Sequence, residues 1–119
     1  MSKTLVIGAS QKPDRHSNIA IKMLKNRSIE TYAYGSKRGE THGVEIKNTQ
    51  DLIKDLDTVT VYLSAKNQEG VKQYIMELHP KRVIFNPGAE NEEFEVELAA
   101  NGIKTLNACT LVLLTTGQY

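Results

Sequence analysis

Thr4-Leu5-Val6-Ile7-Gly8-Ala9-Ser10-Gln11-Lys12-Pro13-Asp14-Arg15-His16-Ser17-Asn18-Ile19-Ala20 is the stretch whose reading decides the fold. Leu5, Val6 and Ile7 form a short apolar, β-branched run that predicts a buried strand over 4–8. Gly8 ends it, and the small or turn-forming residues Ala9, Ser10, Pro13 and Asp14 follow. From Ser17 onward Ile19, Ala20, Met23 and Leu24 recur at helical spacing, which predicts a helix over about 17–27. A strand, a glycine turn and a helix aim free backbone N–H groups and a positive helix end at one point, where an anion is held.

Outward from this unit, strand-like and helix-like runs alternate. Further strands are expected over 31–34, 58–63, 82–85 and 103–106, with a polar loop over 35–42 and a short extended piece over 43–47. Helices are expected over 49–56, with Leu52, Ile53 and Leu56 inward, and near 67–78, with Val71, Ile75 and Leu78 on one face. Asn91 reads as the N-cap of a further helix, with Glu92 and Glu93 in its first turn and Gly102 after its end. The last piece, 109–116, reads equally as a short helix or an extended tail. Such alternation gives an α/β fold, a single doubly wound, Rossmann-like parallel sheet of about five strands with helices on both faces. Ligands of such sheets bind past the carboxyl ends of the strands. The segments 8–17, 35–38, 64–67, 86–89 and 107–109 are therefore expected to converge on one cleft.

The chain has 119 residues, the length of one domain over 1–119 with a core of its own. Fifteen basic residues against fourteen acidic ones leave a net charge of +1, so no global field draws the protein to nucleic acid or to an anionic membrane. A single cysteine excludes an internal disulfide, and no apolar stretch is long enough for a signal peptide or a membrane span. A cytoplasmic protein is expected.

The turn after the first strand is not the full dinucleotide fingerprint G-x-G-x-x-G, because Ser10 and Pro13 stand at the later glycine positions. Arg15 and Ser17 at the helix entry instead add a guanidinium and a hydroxyl to the free amides. The second strand ends Tyr34-Gly35-Ser36-Lys37-Arg38, with cations where an NAD site carries a carboxylate for the ribose. A phosphate on the adenosine ribose fits this end, either the 3′-phosphate of coenzyme A or the 2′-phosphate of NADP. Asn86-Pro87-Gly88-Ala89 closes the fourth strand, and Asn107 and Cys109 follow the fifth, where an amide and a thiol can face a pantetheine arm or a thioester. His16, His42 and His79 are scattered and make no metal-ligand spacing, and no catalytic triad or carboxylate pair is visible.

Val6-Ile7-Gly8-Ala9-Ser10 with Pro13, Arg15, Ser17 and Ala20, then Asn86-Pro87-Gly88-Ala89-Glu90-Asn91, then Asn107-Ala108-Cys109, resembles the small stand-alone CoA-binding domain proteins. These are single Rossmann-type domains similar to the amino-terminal CoA-binding domain of the succinyl-CoA synthetase alpha subunit. The resemblance implies that Gly8, Ala9, Ser10, Arg15 and Ser17 hold the pyrophosphate and that Ser36 and Lys37 lie near the adenosine end. Ser64 and Asn67 would line the nucleotide cleft, while Asn86, Pro87, Gly88 and Asn107 would border the pantetheine. The sequence departs from that pattern at the end of the second strand, Ala33-Tyr34-Gly35, and at Asn86, where a longer glutamine is usual.

The leading expectation is a single-domain protein that binds coenzyme A or an acyl-CoA as sensor, carrier or regulatory module. An NADP-binding oxidoreductase or redox-sensing domain is the alternative. An acyl-transfer enzyme with Cys109 as nucleophile and a pure interaction module, a homodimer among its forms, are further readings.

Overall fold

The computed structural model describes residues 2–119. In chain order its elements are β1 (Lys3–Ile7), α1 (His16–Asn26), β2 (Glu30–Tyr34), β3 (Gly39–Thr41), β4 (Val44–Lys47) and β5 (Thr58–Val61). A single 3₁₀ turn (Ala65–Asn67) then leads to α2 (Glu69–Leu78), β6 (Arg82–Phe85), α3 (Glu92–Ala100), β7 (Lys104–Asn107) and α4 (Thr110–Thr115). Among the described residues the strands form one seven-stranded sheet in the order β3-β4-β2-β1-β5-β6-β7. Every pairing is parallel except β3 with β4.

Alternation along β1 explains the layers. Val6 packs with Ile21 and Leu24 of α1 and Leu114 of α4 on one face. Leu5 and Ile7 face the opposite cluster, which holds Val71, Ile75 and Leu78 of α2 and Phe94 and Leu98 of α3. A strand covered on both sides has no polar face to show, which is why β1 reads as a continuous apolar run. Because β1 pairs with β2 on one side and β5 on the other, the chain reverses its winding at this strand, and the carboxyl end of β1 is the switch point.

The doubly wound expectation holds, with more strands than expected. The piece over 43–47 pairs with part of the expected loop, and the two residues of its turn, His42 (φ 51°) and Gly43 (φ 79°), both take positive φ. That is the mirror-image turn that suits hairpins; His-Gly is a weaker sequence signal for it than Asn-Gly.

The helix expected over 49–56 is absent. The Asp51 carbonyl, which a helix would give to Asp55, instead accepts a hydrogen bond from Tyr74 Oη at 2.6 Å. Gln50 Nε2 donates to the Gly70 carbonyl at 2.8 Å, so this connection is tied to α2 rather than to itself. Of the three residues expected inward, only Leu56 is buried, and Leu52 is 76 % exposed. Asn91 does cap α3, its Oδ1 accepting from the Phe94 amide at 3.1 Å, and the tail left open above forms α4.

Candidate functional site

The carboxyl ends of β1, β2 and β5 and the amino ends of α1 and α2 surround an open cleft of about 1080 Å³. The loop over 8–15 forms its floor. Gly8 takes φ 90°, and a Cβ there would sit 3.3 Å from the Tyr62 backbone, so both torsion and space call for glycine. The Gly8 and Ala9 amides donate to the Tyr34 carbonyl at 2.9 and 3.0 Å, which fastens the loop to the end of β2. Ser10 Oγ accepts from the Lys12 amide at 3.1 Å and bends the chain toward α1.

The first turn of α1 is left unfinished. Its N-cap is Arg15, which offers no side-chain acceptor, and the turn carries no acidic residue. Among the described residues, no acceptor takes the amides of His16 and Ser17. Two donors and the positive helix end therefore face the cleft. Lys12, Arg15 and Lys37 also line it, and none of them forms an ion pair among the described residues. Asp14 is the one carboxylate in the described lining. Arg38, the other cation after β2, turns away to Glu45 at 3.7 Å. Cations and free amides around one loop make a site for a polyanion.

The family model for the CoA binding domain matches residues 2–115. The chain belongs to the CoA-binding domain family. This CoA-binding domain is similar over its whole length to a crystal structure of an uncharacterized protein, at 44 % identity and a TM-score of 0.97, covering 100 % of this chain and 98 % of that one. A hypothetical protein from Pyrococcus horikoshii OT3 is 23 % identical with a TM-score of 0.84, over 93 % of this chain and 80 % of that one. The dinucleotide forming acetyl-coenzyme A synthetase 1 of Ca. Korarchaeum cryptofilum, in complex with phosphate and ADP, is 20 % identical with a TM-score of 0.72, over 90 % of this chain and 25 % of that one. These last two likenesses speak for the fold alone. Among curated proteins, none matches the chain.

Of the residues singled out in the sequence of this CoA-binding domain, Gly8, Ala9, Ser10, Arg15, Ser17, Ser36, Lys37, Asn67 and Pro87 line the cleft. Pro13, Ser64, Asn86, Gly88, Asn107 and Cys109 lie outside the lining. Ser64 Oγ accepts from Asn67 Nδ2 at 3.1 Å, and the Gly88 amide donates to Glu90 Oε1 at 2.9 Å. Asn107 turns to the Glu95 carboxylate, and Cys109, half-buried, is the N-cap residue of α4. Asn86 is 2 % exposed with its whole amide committed inward: Nδ2 donates to Thr60 Oγ1 and the Val61 carbonyl, and Oδ1 accepts from the Thr110 amide.

Gln68 is a second such brace, missed in the sequence because nothing marks a buried glutamine there. Its Nε2 donates to the Leu63 and Ala89 carbonyls at 2.8 and 2.7 Å, and its Oε1 accepts from Asn91 Nδ2 at 2.9 Å. It joins the ends of β5 and β6 to the start of α3. Gly70, also missed, lines the cleft from the first turn of α2 with open space where a Cβ would stand. A glycine in a helix costs about 1 kcal/mol against alanine, and its signal in the sequence was that unneeded cost.

Tyr62 lines the cleft, and among the described residues its buried hydroxyl has no hydrogen-bond partner. Burial pushes that hydroxyl's pKa from 10.0 up to about 12, beside Thr110 and Thr60 hydroxyls that already bond each other at 2.7 Å. Tyr62→Phe is expected to raise stability by about 1 kcal/mol, since it removes an unmet polar group and leaves the ring. Because the folded pKa is the higher one, the neutral phenol favours the fold below pH 10, and that contribution is lost as pH rises through about 12. Urea titrations at pH 7 and across the range from 10 to 12 check both points: the variant should be the more stable at neutral pH and decline less steeply in alkali.

Proposed function

We propose that the domain binds coenzyme A or an acyl-CoA as a carrier, sensor or regulatory module, with the ligand's diphosphate on the loop over 8–17. The observation that carries this reading is the uncapped amino end of α1, where Arg15, free of any ion pair among the described residues, stands in the cleft beside two unclaimed amides. Lys37 is the cation placed for the phosphate on the adenosine ribose, and the absence of a carboxylate at the end of β2 fits that phosphate better than a bare ribose. Leu63 and Pro87 border the cleft beyond the switch point, which supports a pantetheine arm running over the ends of β5 and β6. Asn107 and Cys109 lie outside that lining.

A thermal-shift panel of CoA, acetyl-CoA, dephospho-CoA and NADPH tests the proposal. A ligand at a hundred times its dissociation constant adds about 2.7 kcal/mol of stability. CoA or acetyl-CoA is expected to raise the unfolding temperature most, and no response to either at millimolar concentration would remove the reading. A larger response to NADPH would transfer the site to that cofactor. Arg15→Ala is expected to weaken CoA by about 1.5–3 kcal/mol, the scale of a charge-assisted hydrogen bond. Lys37→Ala should weaken CoA more than dephospho-CoA in the same titration, and equal losses would deny it the 3′-phosphate.

A further inference from the structure

The β3–β4 hairpin contributes no residue to the described cleft lining, yet two side chains tie it to the floor of the cleft. Asn18, on the first turn of α1, is 2 % exposed. Its Nδ2 donates to the Ser10 carbonyl and to Thr41 Oγ1, each at 2.8 Å, and its Oδ1 meets His42 Nε2 at 2.8 Å. The Ser10 carbonyl can only accept, so the amide has one possible orientation, and His42 Nε2 carries the hydrogen. Gln11 adds a second tie: its Nε2 donates to the Glu40 carbonyl at 3.1 Å, and its side chain fills the space that a Cβ on Gly39 would need.

The Ser10 carbonyl belongs to the same peptide unit as the Gln11 N–H, and in a trans peptide the two point in opposite directions. A carbonyl held toward Asn18 therefore turns the Gln11 N–H away from the Asn18 side chain. No acceptor takes that amide among the described residues, and Gln11 lines the cleft. We propose that Asn18 is a positioning residue: braced by Thr41 and His42 of the hairpin, it fixes the Ser10–Gln11 peptide plane so that the Gln11 amide donates to the bound anion. The inference rests on the anion reading of the loop given above. It gives the hairpin a task, as the outer anchor of a loop whose inner side is fastened to Tyr34.

The test combines backbone amide NMR with titration by CoA on the whole chain. In the wild type, saturating CoA should shift the Gln11 amide and slow its exchange with solvent at least tenfold. Asn18→Ala should abolish that protection and weaken CoA about tenfold, the loss of one well-aimed hydrogen bond. Thr41→Val, which keeps shape and removes one brace, should act in the same direction with a smaller effect, and it serves if Asn18→Ala does not fold. The two substitutions together should cost less than the product of their separate effects, because Thr41 acts through Asn18. A purely structural role would lower the unfolding temperature and leave the protection of Gln11 in the CoA complex intact, and that result overturns the proposal. So does a Gln11 amide that stays unprotected in the CoA-saturated wild type. In the free protein, 15N relaxation should report added motion over 9–12 in both variants, and its absence overturns the brace without reference to ligand. A wild type that ignores CoA while its variants loosen this segment overturns the anion reading instead, so the two failures are distinct.

Discussion

Asn86→Ala is expected to lower the midpoint of thermal unfolding by about 10 °C. Truncation leaves the Thr110 amide, in a residue that is 0 % exposed, without the acceptor it now has at 2.8 Å. It also takes a donor from the Val61 carbonyl at 2.9 Å and from Thr60 Oγ1 at 2.7 Å, and opens a void between β5, β6 and α4. A buried group left unmet costs about 1–3 kcal/mol, so the sum is about 3 kcal/mol. For a domain of this length each kcal/mol moves the midpoint by roughly 3–5 °C. Asn86→Asp should recover none of the loss: it keeps an acceptor for Thr110 but sets a buried carboxylate oxygen against the Val61 carbonyl, to which Nδ2 now donates. Circular-dichroism melts of the three proteins decide it. A fall of less than about 3 °C for the alanine variant would mean that the network is not a support for the sheet end.

Gly35→Ala should reduce CoA affinity by about tenfold or more and also destabilise the fold, by roughly 1–3 kcal/mol. Gly35 does not have positive φ, so torsion does not demand glycine there. Space does: a Cβ would lie 2.5 Å from the Ala9 carbonyl oxygen and 3.3 Å from Ile46 Cγ2. The Ala9 backbone cannot yield without breaking its 3.0 Å bond to the Tyr34 carbonyl, and Gly35 itself is held to the Lys47 carbonyl at 2.9 Å. The methyl group must therefore displace the anion loop. Calorimetric titration with CoA, read beside the melt, separates a moved loop from a merely weakened fold, since only the first lowers affinity at temperatures where the protein is fully folded.

How far the sequence could be read depended on whether a residue's neighbours in the chain are also its neighbours in space. β1, its glycine turn and α1 are local, and their apolar spacing, Gly8 and Arg15 were legible. Asn91 and Gly102 marked the ends of α3 in the same way, through their own helix. The connection over 48–57 misled, because Leu52, Ile53 and Leu56 keep helical spacing while Gln50 and the Asp51 carbonyl are claimed by α2, 20 and 23 positions away. The cleft divided along the same line. The loop over 8–17 and Lys37 could be placed, but the inward commitment of Asn86 arises from Thr60 and Thr110, which sit 26 and 24 positions from it. No local pattern announces which amide will face inward.

Asn18, Gln68 and Asn86 share one property: each spends its donors and its acceptor within the chain. The frame that sets the strand ends is thus chemically separate from the unclaimed main-chain amides and the side chains of Lys12, Arg15 and Lys37 that line the cleft. On the proposed reading, exchanging those side chains should change the guest and leave the frame in place. Such a division of labour would let one scaffold be re-tuned to another nucleotide by a few substitutions at the cleft, with the buried amide braces kept.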